Sequence, residues 1–114
     1  MIMHKLVILI EPLLDWTEFH ERWPDFLRHA ESMPGLVREA TSQVEKSLFG
    51  ERPVAWMHEL YFASLADLQL ALNSADGQAA GRILHAITRD RLTLFVADCK
   101  EEDGETLRRY RAGT

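Results

Sequence analysis

The sequence has very little cysteine and no long hydrophobic run. Cys99 is the only cysteine among 114 residues, so an intrachain disulfide and a cysteine-rich metal site are both excluded. The first hydrophobic run, residues 6–10, is far too short to cross a bilayer, and Glu11 and Pro12 end it without the pattern of a cleavage site. We therefore expect a cytoplasmic protein with no membrane partner.

Common catalytic motifs are also missing, and the one basic cluster, Arg108, Arg109 and Arg111, lies beside acidic residues in the polar tail, as is typical of a solvated end. A net charge of -5 and a pI near 5.5 argue against nucleic acid as a partner, because that role needs Lys and Arg gathered on one face. The sequence has no phosphate-binding loop, dinucleotide-binding glycine motif or nucleophile elbow. His20 and Glu21 lack the second histidine of a zinc-binding helix. We expect neither a metal nor a cofactor.

Residues 54–63 (VAWMHELYFA) form the most informative stretch of the chain. They are rich in aromatic and β-branched residues, which predicts a strand in the middle of a sheet. The alternation of side chains along a strand divides the stretch between two faces. One face carries Ala55, Met57, Glu59 and Tyr61, and the other carries Trp56, His58, Leu60 and Phe62. A carboxylate and a phenol thus share one face of an otherwise apolar strand.

The periodicity of the whole chain predicts the order βαββαβ. The predicted strands are residues 5–10, 36–48, 54–63 and 91–99. The first helix is expected to start near Trp16, behind an Asp15 and Glu18 capping box, and to run with a kink past Pro24 to Met33. The second helical layer is predicted as residues 65–72, capped by Ser64, and residues 78–88.

This order is that of an α+β protein with a ferredoxin-like fold, in which helices cover one face of a four-stranded antiparallel sheet. We expect one domain over residues 1–100 and a polar C-terminal tail over residues 101–114. The strands are apolar on both faces, so the uncovered face would be a large exposed hydrophobic patch. The simplest cover is a second copy of the chain packed sheet to sheet, with a cavity between the sheets.

Three segments resemble the EthD family of dimeric α/β-barrel proteins: MPGL at 33–36, MHELYF at 57–62 and SADGQAA at 74–80. The resemblance implies a homodimer with facing sheets and a small-molecule cleft in each subunit. It also links the chain to the degradation of ethers and other small organic compounds and to polyketide-type pathways, in which members are often auxiliary proteins and some are called reductases. Many members carry a His-x-Pro-Leu motif late in the first helix. Phe26 occupies that histidine position here, which argues against a shared histidine mechanism.

Glu59 and Tyr61 are the candidate catalytic residues. A carboxylate in a dry cleft would have a raised pKa and could act as a general base, and Tyr61 could donate its hydroxyl hydrogen to a substrate carbonyl. The alternative is that Glu59 pairs with Lys5 or Arg38 and only fixes the sheet. Candidate ligand contacts are Met57, Arg38, Trp23 and His58, although the position of His58 on the helix side also suits a core histidine with a local hydrogen bond.

These features leave more than one function open. The first hypothesis is an auxiliary protein of a degradation or biosynthetic pathway that binds an apolar organic ligand in a cleft between sheet and helices. The alternative is a cofactor-free isomerase, cyclase or oxidoreductase that uses Glu59 and Tyr61. A third possibility is an interaction module whose sheet face is filled by the partner subunit.

Overall fold

The computed structural model describes residues 2–101 and shows the expected βαββαβ order, with the second helical layer divided in two. The strands are β1 (Ile2–Ile10), β2 (Leu36–Gln43), β3 (Trp56–Phe62) and β4 (Leu92–Lys100). The helices are α1 (Thr17–Glu31), α2 (Leu65–Asn73) and α3 (Ala75–Thr88). The strands form one antiparallel sheet in the order β2-β3-β1-β4, so the ferredoxin-like prediction is confirmed and β3 is an interior strand. No helix in residues 2–101 is long and apolar enough to cross a membrane.

The register of β1 and β3 decides which side chains meet the helices. Ile8 pairs with His58 and Leu6 pairs with Leu60, so the even-numbered residues of both strands point toward the helical layer. The buried core lies between that face and the three helices. It includes Leu6, Ile8, Ile10, Phe19, Phe26, Ala30, Leu60, Phe62, Leu68, Leu84 and Ile87. The predicted division of β3 into two faces is therefore confirmed.

Helix α1 is continuous through Pro24, but its start differs from the prediction. The N-cap is Trp16, which makes no side-chain capping bond, so the predicted capping box is wrong. Asp15 lies one position too early and accepts instead from Thr17, whose backbone nitrogen is 2.9 Å and whose hydroxyl oxygen is 2.7 Å from Asp15 Oδ1. The Asp15 carboxylate thus still bonds to the first residue of the helix, but as part of a local turn that precedes the helix and not as its cap.

Serine residues start both helices of the second layer. Ser64 caps α2 as predicted and accepts from the backbone nitrogen of Asp67 at 3.1 Å. Helix α3 begins at Ala75, three residues earlier than expected, because Ser74 accepts from the backbone nitrogen of Gly77 at 3.0 Å and donates to the carbonyl of Ala71 at 2.6 Å. One serine thus ends α2 and starts α3.

Strand β2 is a sheet edge, as predicted, but it stops at Gln43 and not at residue 48. Its pairing with β3 contains an irregularity between Leu36 and Arg38. The connection to β3 is exposed, and Leu48 and Phe49 have almost no contact with the rest of the chain. Apart from Glu101, the predicted tail lies outside the described residues.

Candidate functional site

The face of the sheet that points away from the helices carries a small polar cluster among apolar side chains. Lys5 Nζ lies 2.6 Å from Glu59 Oε2, and the hydroxyl of Tyr61 donates to the same oxygen at 2.9 Å. The guanidinium of Arg38 lies 4.1 Å from the centroid of the Tyr61 ring and binds Glu101 at 2.8 Å. Of the two partners considered for Glu59, Lys5 forms the salt bridge.

This pairing reverses the pKa shift expected for Glu59. The hydrogen bond from Lys5 is the main cause that lowers the pKa of Glu59, and the hydrogen bond from Tyr61 acts in the same direction against the effect of burial. The same contact with Glu59 raises the pKa of Lys5. Glu59 is therefore a stabilised carboxylate at neutral pH and a weaker base than the sequence suggested.

The helix side of the sheet, below α1, carries a cluster of aromatic rings and, next to it, a second set of polar groups. Aromatic rings from α1 and β3 pack together there: the Trp23 centroid is 5.4 Å from that of Trp56 and 5.2 Å from that of His58. The rings recur along α1 because an aromatic residue appears at every third or fourth position. They form an aromatic wall between helix and sheet.

At one end of this wall is a groove of about 300 Å³, at the small end of known ligand pockets. It is lined by Trp16, His20, Gln43, Val44, Ala55 and Trp56. The indole nitrogen of Trp56 is shielded from solvent, yet it has no acceptor among residues 2–101. A buried N–H without an acceptor costs about 1–3 kcal/mol, and because this nitrogen is shielded, the Trp56 side chain must shift before a ligand oxygen can bind it.

His58 lies two residues beyond Trp56 on β3, outside the lining of the groove, and it is fully buried and bonded through both ring nitrogens. Thr41 Oγ1 lies 2.7 Å from Nδ1, and Glu39 Oε2 lies 3.2 Å from Nε2. Burial lowers the pKa of His58 to about 4, against the opposing charges of Glu31 and Glu59. Burial and a hydrogen bond with Glu31 raise the pKa of Glu39 to about 7. Both shifts favour the uncharged forms, a protonated carboxyl group and a neutral imidazole.

The six residues singled out in the sequence thus lie in two places. Arg38, Met57, Glu59 and Tyr61 lie on the open face of the sheet, whereas Trp23 and His58 lie on the helix side. The thickness of the sheet separates the two groups, so they do not form one site.

Sequence reasoning missed the residues that complete the helix-side site: Glu39, Thr41, His20 and Trp56. One signal was present, because polar residues recur at alternate positions of β2, namely Glu39, Thr41 and Gln43. That alternation places a polar row opposite Trp56 and His58 once the register is known.

Two other cavities are weaker sites. One, of about 70 Å³, is an almost wholly apolar gap in the core beside Gly77 and Leu84, which is too small for an organic ligand. The other, of about 280 Å³, is a surface depression between Leu13 and Arg89, in which arginine and carboxylate side chains are mixed. Neither collects a buried polar group that needs a partner.

Comparison with known proteins identifies relatives by structure only. No protein-family model and no curated protein matches the sequence. An ethyl tert-butyl ether D (EthD) family protein from Bacillus halodurans C-125 superposes with a TM-score of 0.76, with 27% identity over 88% of this chain and 99% of that chain. The resemblance to the EthD family is thereby confirmed.

Two further structures share the fold at lower identity. A dimeric ferredoxin-like protein of unknown function from Jannaschia sp. CCS1 has a TM-score of 0.65 and 18% identity over 87% of this chain and 99% of that chain. The hydroxynitrile lyase of Passiflora edulis has a TM-score of 0.68 and 12% identity over 90% of this chain and 96% of that chain. At these identities the likeness concerns the fold alone.

Proposed function

Because the chain shares its fold and 27% sequence identity with an EthD family protein, we propose that it is a small-molecule-binding protein of a degradation or biosynthetic pathway. Its ligand is an apolar, ring-containing organic molecule held in the groove between α1 and the β2–β3 edge of the sheet. The observation that carries the proposal is the indole N–H of Trp56, a residue of the groove lining, which is buried without an acceptor among residues 2–101.

The lining of the groove supports this ligand class. Trp16, His20 and Trp56 offer ring faces to a flat apolar molecule, and their centroids lie about 6 Å apart. The side-chain amide of Gln43, at the end of β2, offers hydrogen bonds at one edge of the groove. Few polar groups in a mainly apolar site are typical of sites that hold a largely hydrophobic ligand in one orientation.

The experiment is a titration of the protein with 2-acetonaphthone, followed through the indole N–H signals of the three tryptophans in ¹H–¹⁵N NMR spectra. We expect the Trp56 signal to shift with saturation. The Trp56→Phe variant keeps the ring contact but loses the donor, so it should bind about threefold to tenfold more weakly, as a single neutral hydrogen bond predicts.

The matched control is Tyr61→Phe, which removes a hydroxyl from the open face of the sheet and should leave the affinity unchanged. If the naphthyl ketone instead shifts signals on the open face, or binds Trp56→Phe as tightly as the wild type, the groove is not the site.

The open face of the sheet supports a homodimer as the assembled form. Phe95 pairs with Val7 across β1 and β4 on this face and is 44% exposed, which leaves apolar surface for a second copy to cover. The Jannaschia relative is described as dimeric. Sedimentation analysis should show that Phe95→Glu lowers the dimer fraction, whereas Leu70→Glu, on the outside of α2, should not. If Phe95→Glu is still fully dimeric, the open face of the sheet around Phe95 is not the dimer interface.

A cofactor-free enzyme that uses Glu59 and Tyr61 has weaker support. The one favourable feature is the hydrogen bond from Tyr61 to Glu59, which places a proton donor beside a carboxylate. Lys5 already neutralises that carboxylate, so its basicity is low. The test is to measure turnover of a pathway intermediate by the wild type and by Glu59→Gln. If the enzyme alternative holds, a folded Glu59→Gln variant loses the activity.

A further inference from the structure

His58 connects two accessible side chains of β2 through a ring that solvent does not reach. Its side chain is 0% exposed, whereas Thr41 is exposed and the side chain of Glu39 is 25% exposed. Thr41 and Glu39 are two residues apart on the same face of the strand, next to Gln43, which lines the groove. The imidazole therefore links the two accessible groups directly through its two ring nitrogens.

The chemistry of a neutral imidazole forces the two hydrogen bonds to run in opposite senses. One ring nitrogen carries a hydrogen and donates, and the other is bare and accepts. The rings of Trp23 and Phe26 pack against His58 from α1 and bring no charge. The charged groups that act on the site are Glu31 at the end of α1, which meets Glu39, and Glu59 on the same strand as His58.

We propose that Glu39, His58 and Thr41 form a tautomer switch that sets whether the Thr41 hydroxyl donates to or accepts from the polar group of the groove ligand. When the proton of Glu39 lies on Oε2, this oxygen donates to Nε2, Nδ1–H donates to Thr41 Oγ1, and the hydroxyl hydrogen of Thr41 is free for a ligand. When Glu39 is ionised, Nε2–H donates to the carboxylate, and the bare Nδ1 accepts the hydroxyl hydrogen of Thr41. Thr41 then offers only oxygen lone pairs.

The switch makes ligand choice depend on pH. It rests on the proposed binding function, because the choice matters only if a ligand occupies the groove. A ketone, which can only accept, is favoured on the acidic side of neutrality. A phenol, which can donate, binds relatively more tightly on the alkaline side. Glu39 and Thr41 are thus specificity-determining residues that act through a positioning residue, His58.

The first test needs no ligand. With ¹⁵N-labelled histidine, NMR distinguishes the two tautomers by their ring nitrogen shifts, and we expect His58 to change from mainly Nδ1–H at pH 5.5 to mainly Nε2–H at pH 8.5. Glu39→Gln cannot ionise, so its His58 tautomer ratio should be independent of pH. Glu31→Gln should keep the change but move its midpoint to lower pH, because a neighbouring carboxylate is gone.

A constant His58 tautomer ratio in the wild type, or a pH-dependent change that persists in Glu39→Gln, would overturn the switch. Neither outcome depends on whether the groove binds a ligand. The assignment of the His58 signal uses its absence from the spectrum of His58→Gln.

The second test compares 2-acetonaphthone with 2-naphthol at pH 6 and pH 8. The ratio of their affinities should fall by roughly threefold to tenfold over this range, the effect of one neutral hydrogen bond. Thr41→Val, which is nearly isosteric, should abolish the change. An unchanged ratio in the wild type refutes the role of Thr41. If neither compound binds but the His58 tautomer ratio of the free protein still changes with pH, the proposed binding function is wrong, whereas the pH-dependent tautomer change of His58 is supported.

Discussion

Replacement of Glu39 by glutamine should have an effect on stability that changes with pH, and the sign follows from the structure. Burial and Glu31 raise the pKa of Glu39 from 4.5 to about 7. An acid whose pKa is higher in the folded state contributes stability that is fully present below its unfolded pKa. That stability is lost as the pH rises through the folded pKa. Wild-type protein should therefore lose stability relative to Glu39→Gln between about pH 4.5 and 7.

The size of the effect can be worked out from the same shift. At about 1.4 kcal/mol for each pKa unit, the rise from 4.5 to about 7 corresponds to about 3.5 kcal/mol. Because the side chain is 25% exposed, solvent screening reduces this to an expected change of about 2 kcal/mol. His58 has the opposite sign: its pKa falls from 6.5 to about 4, so its contribution is present above pH 6.5 and is lost as the pH falls.

The assay is urea unfolding followed by tryptophan fluorescence at pH 5, 6, 7 and 8 and at one fixed protein concentration. The difference in unfolding free energy, wild type minus Glu39→Gln, should decrease by about 2 kcal/mol from pH 5 to 8. Wild type minus His58→Gln should increase with pH. Wild type minus Glu59→Gln should stay nearly constant from pH 5 to 8, because the pKa of Glu59 is lowered from 4.5 and its contribution is lost only at more acidic pH. A flat or rising difference for Glu39→Gln would refute the reasoning.

Three further predictions concern the scaffold. In a double-mutant cycle, Lys5→Met and Glu59→Gln should show a coupling free energy of about 1 kcal/mol, because the 2.6 Å pair is partly buried. Gly77→Ala should lower the free energy of unfolding by about 3 kcal/mol or more, because the new Cβ would clash with the backbone carbonyl of Ala71, and the variant should therefore unfold at lower urea concentration. Ser74→Ala should cost about 1 kcal/mol in urea unfolding through loss of the α3 cap, and an unchanged midpoint would contradict that role.

Most of the fold could be predicted from the sequence because hydrophobic periodicity records which face of each element is buried. The alternation in β3 placed His58 under the helices and Glu59 on the opposite face, and the register confirms both positions. Serine at position 64 predicted the start of α2 for a local reason, namely its bond to a backbone N–H. Such signals involve residues close together along the chain.

The helix-side site could not be predicted because it depends on the pairing of β2 with β3. Leu36 packs against the core, and strict alternation from it would turn Arg38 inward and Glu39 outward. The irregularity between Leu36 and Arg38 shifts the pattern by one residue, so Glu39 and Thr41 face His58. A shift of this kind leaves no signal in the composition of a short edge strand.

The pairing of β1 with β4 also bears on how the protein forms during synthesis. Ile2 lies opposite Lys100, so β1 lacks its second neighbour until β4, which follows all the other described elements, has been translated. On the ribosome, the β1–β3 pair and α1 can associate earlier, while one edge of β1 stays unpaired. Mutations that slow the docking of β4 should then reduce yield through aggregation of nascent chains, even where the finished protein is as stable as the wild type.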